Sequence, residues 1–239
     1  MKTQDLLIAS KYVDSNLELN LSSFFYLMQS IAADDVEEKG IKKAQTLDQG
    51  CSWILSRVEV DFIDTPKFPS DVYFDTYPGE DLKFLFPRYY RIRNKEGLDL
   101  VVAYSIWALL DIKNRTLTKP PFDQRLIPEH HEGELPLPKR LRVPDDGIFL
   151  ETRKVRLSDT DLNCHLNNVK YIDYIVDALE DTLSNKQKIK HFTINYNHEI
   201  KKDQCVDLYT DENINPKLIW GKVDNQVAFI SEIQFEDKK

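Results

Sequence analysis

Glycine, methionine and cysteine are all scarce in this chain. Seven glycines and two methionines occur among 239 residues, and no long serine–glycine or glutamine–asparagine tract interrupts the sequence. Because such tracts are typical of disordered segments, we expect a globular fold with short connections. The three cysteines, Cys51, Cys164 and Cys205, are odd in number and far apart. This pattern argues against a disulfide framework and favours a cytoplasmic protein.

Long apolar runs and an excess of basic residues are also missing. No stretch approaches the roughly 20 apolar residues of a membrane-spanning helix, and the first residues lack the apolar core of a signal peptide. The formal net charge is −8, whereas a general nucleic-acid-binding protein needs a basic surface. An acidic partner is therefore expected to bind only through a local basic patch. The candidate basic runs lie within 88–93, 139–142 and 153–156.

The sequence contains two similar halves. The segment Asp14–Leu21 recurs 147 positions later as Asp161–Asn168, and two weaker matches follow in the same order at offsets of 134 and 125. We infer an internal duplication that gives two domains, 1–117 and 148–239. The segment 118–147 between them is rich in proline, which fixes the backbone and removes hydrogen-bond donors, so we interpret it as an extended linker.

Each half begins with a helical pattern and continues with strand-like runs. The first helix is expected from Leu21 to a stop near Gly40, and the second over Val169–Leu183 with Asn167 or Asn168 as its N-cap. One apolar helix followed by antiparallel strands predicts an α+β fold in which a curved sheet wraps around a largely buried helix. Strands are predicted over 52–63, 71–77, 84–93, 100–112, 189–200, 205–211, 217–223 and 226–235.

The start of the second helix is the candidate functional site. In an extended chain Asp161, Asn163 and His165 share one face, while Leu162 and Cys164 point to the apolar side. A carboxylate, an amide and an imidazole would thus lie together at the positive end of a helix. Such a place stabilises a developing oxyanion.

These residues resemble those of the acyl-acyl-carrier-protein thioesterases, a family with two tandem hotdog folds. The resemblance implies that fatty acyl-acyl carrier protein is hydrolysed to free fatty acid, which terminates chain elongation, without cofactor or metal. It also implies an acyl-chain pocket in the first hotdog and catalysis in the second. The residues that carry it are Asp161-x-Asn163-x-His165-x-Asn167-Asn168-x-x-Tyr171, Tyr196-x-x-Glu199, Ser52–Arg57 and Ser105–Asp111.

The catalytic set that the resemblance implies is Asp161, Asn163, His165 and Glu199. Glu199, on the predicted strand, or His165 can take a proton from water, and the sequence does not decide between them. Asp161 can hold the imidazole tautomer, and Asn163 can orient the thioester or the water. Backbone N–H groups near Asn167–Val169 are candidate oxyanion donors. Some plant relatives carry a cysteine just after the glutamate. This chain has Ile200 there, which leaves no Cys–His nucleophile at that position.

The first half supports a special role for two of these residues. There Glu18 stands in place of His165, and Thr65 stands in place of Glu199. Taken separately, His165 would more often be structural and Asp161 and Asn163 would be turn formers. The repeated Asp-x-Asn therefore indicates a shared structural part, and the unrepeated histidine and glutamate indicate the specialised pair.

Three other functions fit the same residues. An acyl-CoA thioesterase of this fold would release the same acid from a different thiol. A hotdog dehydratase would act on a 3-hydroxyacyl thioester and release no thiol, and a non-catalytic module would bind acyl carrier protein without hydrolysis. The carrier protein is the expected partner, and both a monomer and a homodimer fit two fused hotdogs.

Overall fold

The computed structural model describes residues 1–120, 126–131, 134–179 and 187–238. It divides the chain into two compact units, Met1–Pro138 and Lys139–Lys239. Within the described ranges no helix has the length and apolar character needed to span a membrane.

The first unit contains an antiparallel sheet and a long helix. The sheet order is β1-β3-β4-β5-β2, and β6 pairs with β5. Ring contacts join Phe24 of the helix to Phe62 and Phe74 of the sheet. The elements are β1 (Lys2–Ile8), α1 (Leu21–Glu38), α2 (Lys43–Asp48), β2 (Cys51–Phe62), β3 (Ser70–Pro78), β4 (Leu85–Arg93), β5 (Asp99–Asp111) and β6 (Thr116–Thr118).

The second unit repeats this arrangement with a shorter helix. Its antiparallel sheet has the order β8-β11-β10-β9-β7. The helix packs Tyr171 edge-on against Tyr196 and Phe229 of the sheet. The elements are β7 (Ile148–Lys154), α3 (Asn168–Asp177), β8 (Gln187–Tyr196), β9 (Cys205–Thr210), β10 (Lys217–Val223) and β11 (Gln226–Asp237).

All eight predicted strands are present, but the prediction extends one of them too far. The strand expected over 189–200 stops at Tyr196, so Glu199 lies in the connection that follows it. The short elements β1, β6, β7 and α2 were not predicted. Leu183 and parts of the expected linker 118–147 lie outside the described residues.

The helix α1 is buried on most of its surface but not all around. Phe24, Phe25, Leu27 and Met28 are buried, whereas Tyr26 is 60% exposed. Tyr26 therefore lies on the solvent-facing side of a helix whose other side is buried. A helix that lies on one sheet keeps a solvent-facing stripe because its side chains point in every direction around the axis.

Two charged side chains are buried where α1 meets β4. Arg88 Nη1 lies 2.7 Å from Asp35 Oδ2, and both side chains are almost inaccessible. Lys39 Nζ contacts the same carboxylate at 2.8 Å. Burial raises the pKa of Asp35, but the bond from Lys39 and the charge of Arg88 outweigh it, so that pKa is lowered. The pair is therefore an ionic contact in the buried core of the first unit.

Candidate active site

The Asp161 segment is a tight turn. Asp161 Oδ1 accepts the backbone N–H of Asn163 at 2.8 Å and that of His165 at 3.3 Å. Asp161 N in turn donates to the carbonyl oxygen of His165 at 2.8 Å. Cys164 has φ +60°, a left-handed conformation that closes the turn. The carboxylate therefore holds the main chain that carries the imidazole.

This turn corrects the assumption of an extended chain. Leu162 is 63% exposed and Cys164 is also exposed. The next alternate residue, Leu166, is the one of these three whose side chain is buried. The alternation of faces fails because side chains alternate only while the backbone stays extended. For the same reason, the spacing in the sequence does not place the side chains of Cys164 and His165 on opposite faces.

The first unit builds the same turn. Asp14 Oδ1 accepts the N–H of Asn16 at 2.8 Å and that of Glu18 at 3.1 Å. Leu17, which corresponds to Cys164, has φ +62°. In both units a 3₁₀ helix precedes the turn, at Ser10–Tyr12 and Leu157–Asp159. The Asp-x-Asn pattern is thus a structural device that both units use.

Glu199 is placed by the end of β8. The N–H groups of Asn197 and His198 both point to the carbonyl oxygen of Ala228, at 2.8 and 3.1 Å, which ends the regular pairing with β11. The first unit has the same double contact, from residues 63 and 64 to the carbonyl oxygen of Leu100. Because the ladder stops here, residues 199–204 can leave the sheet and approach the turn.

The imidazole and the glutamate meet in the second unit. His165 Nε2 lies 3.6 Å from Glu199 Oε2, and the two side chains are 22% and 28% exposed. A backbone bridge between His165 and Lys201 brings the two segments together, and Leu166 N donates to the carbonyl oxygen of Ile200 at 2.7 Å. The pair therefore remains accessible to water while its backbone is fixed.

The first unit has the same bridge with different chemistry. Glu18 pairs with Lys67 through the backbone, and Lys67 Nζ lies 3.3 Å from Glu18 Oε1. An ammonium and a carboxylate form an ion pair there, with no imidazole. A histidine–glutamate pair, which can accept a proton, thus occurs in the second unit, whereas the corresponding turn of the first unit carries an ion pair.

Two expected roles need correction. The hydrogen bonds described for the Asp161 carboxylate come from backbone N–H groups and from Asn163. The role that these bonds support for Asp161 is to shape the turn. Two of the expected oxyanion donors are occupied, because Asn167 N donates to Asp159 O at 2.9 Å and Val169 N donates to Asn167 Oδ1 at 3.0 Å. Asn167 is thereby confirmed as the N-cap. Asn163 Nδ2 has a longer contact, 3.5 Å to Asp161 Oδ2.

Tyr171 is a neighbour of the site to which the sequence analysis gave no role. It is buried, its hydroxyl is hydrogen-bonded to the backbone of Ile200, and its ring packs on Tyr196. Burial raises the pKa of Tyr171 above its usual value, and the charges of Glu199 and Asp161 raise it further. The phenol therefore stays protonated and ties α3 to the segment that carries Glu199. The sequence signal for it was its place in the motif that begins at Asp161, four residues after the N-cap Asn167.

Two of the three basic residues in the run 153–156 have acidic partners. Arg153 contacts Glu151 and Asp177 at 2.8 and 2.6 Å, and Lys154 contacts Asp203 at 3.0 Å. Among the described residues no group of three or more histidine, cysteine, aspartate or glutamate side chains is placed to hold a metal ion.

Comparison with known proteins covers both units. Residues 2–124 match the acyl-ACP (acyl carrier protein) thioesterase N-terminal domain, and residues 145–238 match the C-terminal domain of the same family. A chloroplastic palmitoyl-acyl carrier protein thioesterase of Arabidopsis thaliana is 24% identical over 232 residues, which cover 87% of this chain and 54% of the relative. The chain thus spans about half the length of this curated relative.

Solved structures show the fold. An acyl-ACP thioesterase from Bacteroides thetaiotaomicron has a TM-score of 0.90 at 21% identity and covers 98% of this chain and 97% of its own. A 12:0-ACP thioesterase from Umbellularia californica has a TM-score of 0.85 at 18% identity and covers 99% of this chain and 97% of its own. The fold is therefore α+β with tandem hotdog domains, as predicted. The two domain matches together show that this chain belongs to the acyl-ACP thioesterase family.

Proposed function

We propose that this chain hydrolyses the thioester of fatty acyl-ACP and releases a free fatty acid, which terminates elongation of the acyl chain. The observation that carries the proposal is the His165–Glu199 contact at 3.6 Å. The matching positions of the first unit hold Glu18 and Thr65, and Glu18 instead forms an ion pair with Lys67. Family membership supports the same reaction, and the curated relative is named for an acyl-ACP substrate.

The proposed reaction is an attack by water. Glu199 accepts a proton from the water, either directly or through His165, while the oxygen bonds to the thioester carbonyl carbon. The carbon–sulfur bond then breaks, and the thiolate of the carrier's arm takes up a proton. The partial exposure of both side chains supports this route because water has to reach them.

The remaining residues of the predicted set position these groups. Asp161 fixes the turn through backbone bonds, and its effect on catalysis is exerted through His165. Asn163 is the candidate donor to the carbonyl oxygen, since its amide nitrogen makes a single long contact among the described residues, at 3.5 Å to Asp161 Oδ2. A neutral donor at that oxygen stabilises the negative charge that develops during attack.

The proposal assigns acyl-chain binding to the first unit and hydrolysis to the second. The N-terminal domain, 1–117, holds the acyl chain, the segment 118–147 links the domains, and the domain 148–239 carries the reaction. The exposed thiols of Cys164 and Cys205 support a reducing compartment such as the cytoplasm. No metal or cofactor takes part in the proposed steps.

The test compares carriers for one acyl group. Purified protein is incubated with the same fatty acyl chain on acyl carrier protein and on CoA, and free thiol and fatty acid are both measured. We expect both products at equal rates, with a higher kcat/KM for the carrier-protein substrate. Preference for CoA would make the chain an acyl-CoA thioesterase. Binding of acyl-ACP without any thiol would make it a binding module, and an enoyl product from a 3-hydroxyacyl substrate would indicate a dehydratase.

A further inference from the structure

Three residues next to the catalytic turn differ in character from their counterparts in the first unit. Leu157 is 72% exposed and Leu162 is 63% exposed, whereas the matching positions in the first unit hold Ser10 and Ser15. Arg156 is exposed where the first unit has Ala9. Since the first unit forms the same 3₁₀ helix and turn with small or polar residues, the fold does not require leucine or arginine at these positions.

Backbone contacts gather these residues beside the His165–Glu199 pair. Val155 N donates to Gln204 O at 2.9 Å, and Asp203 N donates to Val155 O at 3.0 Å. The bridge of His165 with Lys201 then places the segment 199–204 between the strand end at Val155 and the turn. We call this group the entry patch, defined as Arg156, Leu157, Leu162 and Lys201.

The entry patch combines positive charge with exposed apolar surface. Within the part of the chain that the structure describes, Arg156 and Lys201 have no carboxylate at ion-pair distance, while the nearby Lys154 and Lys202 both contact Asp203. Exposed leucines next to unpaired cations are typical of a protein-binding surface.

We propose that the entry patch is the docking surface for the acyl carrier protein, an inference that rests on the proposed function. An acidic partner neutralises Arg156 and Lys201, and an apolar contact covers Leu157 and Leu162. The arm that carries the thioester then has a short route to His165 and Glu199, because the patch flanks the turn and the 199–204 segment. Because the overall charge is −8, an acidic protein is attracted only where positive charge is locally concentrated.

The first unit supplies the substitutions for a test. The triple variant Arg156→Ala, Leu157→Ser, Leu162→Ser gives the second unit the residues that the same local structure already carries in the first. The control is Ile214→Ser with Lys222→Ala, which removes an exposed apolar side chain and a positive charge from another part of the second unit. Neither variant touches the proposed catalytic residues.

The measurement is kcat/KM on acyl-ACP and on a small acyl thioester of N-acetylcysteamine, which has no carrier protein. We expect the triple variant to lose roughly tenfold on acyl-ACP, mainly through KM, and to keep its rate on the small thioester. Added salt should lower the wild-type kcat/KM on acyl-ACP more than that of the variant. The control should match the wild type on both substrates.

Two results would overturn the docking assignment. One is a triple variant within twofold of the wild type on acyl-ACP, and the other is an equal loss on both substrates, which would mean damage to the catalytic pair. Titration of fluorescent holo-carrier protein separates this inference from the proposed function. The wild type could fail to hydrolyse acyl-ACP yet bind the carrier, with weaker binding by the triple variant. In that case the proposed hydrolysis is wrong, but the docking assignment holds. If the wild type does not bind the carrier, the surface is wrong too.

Discussion

His165 Nε2 and Glu199 Oε2 lie 3.6 Å apart, although 34 positions separate them in the chain. A backbone bridge between His165 and Lys201 brings the two segments together. The same bridge in the first unit joins Glu18 to Lys67. A repeated backbone contact thus carries a histidine–glutamate pair in one unit and an ion pair in the other.

Replacement of either member of this pair should abolish most of the activity. Glu199→Gln and His165→Ala are each expected to lower kcat by about 10²–10⁴-fold, the usual contribution of a general base, while the melting temperature changes little. The matched control is Glu18→Gln in the corresponding place of the first unit, which should keep near-normal kcat. Steady-state kinetics on acyl-ACP and thermal unfolding check both points, and near-normal turnover of both second-unit variants would rule out the assignment.

Removal of the hydroxyl of Tyr171 should affect the site through the position of Glu199. Tyr171→Phe keeps the ring contacts with Tyr196 and Phe229 but loses the bond to the backbone of Ile200, which costs about 1 kcal/mol of stability. We expect kcat to fall about tenfold with little change in KM, and the pH profile of kcat to shift.

The control for this prediction lies on the same helix. Tyr174 donates to Asp159 at 3.2 Å, and burial together with the charge of Asp159 raises its pKa to about 12. Tyr174→Phe loses a comparable bond that does not reach the Glu199 segment. It should therefore lower the free energy of unfolding without moving the pH profile. If the two variants behave alike, Tyr171 has only a structural role.

Substitution of Cys164 should show whether this residue matters for its left-handed backbone conformation or for its thiol. Cys164 has φ +60°, which costs most residues roughly 1–2 kcal/mol and costs glycine almost nothing. Cys164→Gly is therefore expected to keep full hydrolysis and to raise the free energy of unfolding by up to about 1 kcal/mol, and Cys164→Val is expected to lower it. Chemical denaturation and the thioesterase assay measure both effects. Loss of hydrolysis in Cys164→Gly would point to a role for the thiol.

Disruption of the buried Asp35–Arg88 pair should be costly. Asp35→Asn leaves a buried guanidinium without its counter-charge, which costs about 3–5 kcal/mol. By contrast, Lys95→Ala breaks the exposed contact of Lys95 with Asp5, which solvent screens, so the free energy of unfolding should change far less. Urea denaturation compares the two variants, and equal effects would contradict the importance of burial.

The same pair makes the stability depend on pH. Because the pKa of Asp35 is lowered in the folded state, its contribution is present above the pKa of the unfolded chain and is lost as the pH falls through the folded-state pKa. We expect acid to destabilise the wild type more than Asp35→Asn. Unfolding curves between neutral pH and pH 3 measure the difference, and parallel acid losses would contradict it.

The repeated architecture could be predicted from local patterns in the chain. Apolar spacing and turn residues located α1 and eight of the strands, since the alternation of buried and exposed side chains is a local property of the chain. The comparison of two similar halves singled out His165 and Glu199, because each is absent from the matching place in the first half.

The shape of the site depends on contacts between segments that are distant in the sequence. Asp161 binds backbone N–H groups and Cys164 takes a left-handed conformation, so the segment is a turn, whereas its alternating residue types indicated an extended strand. β8 ends at Tyr196 because two N–H groups converge on the carbonyl oxygen of Ala228, a residue distant in sequence. Hydrogen bonds between distant segments outweigh local pattern, and they determine where His165 and Glu199 meet and which leucines remain exposed beside them.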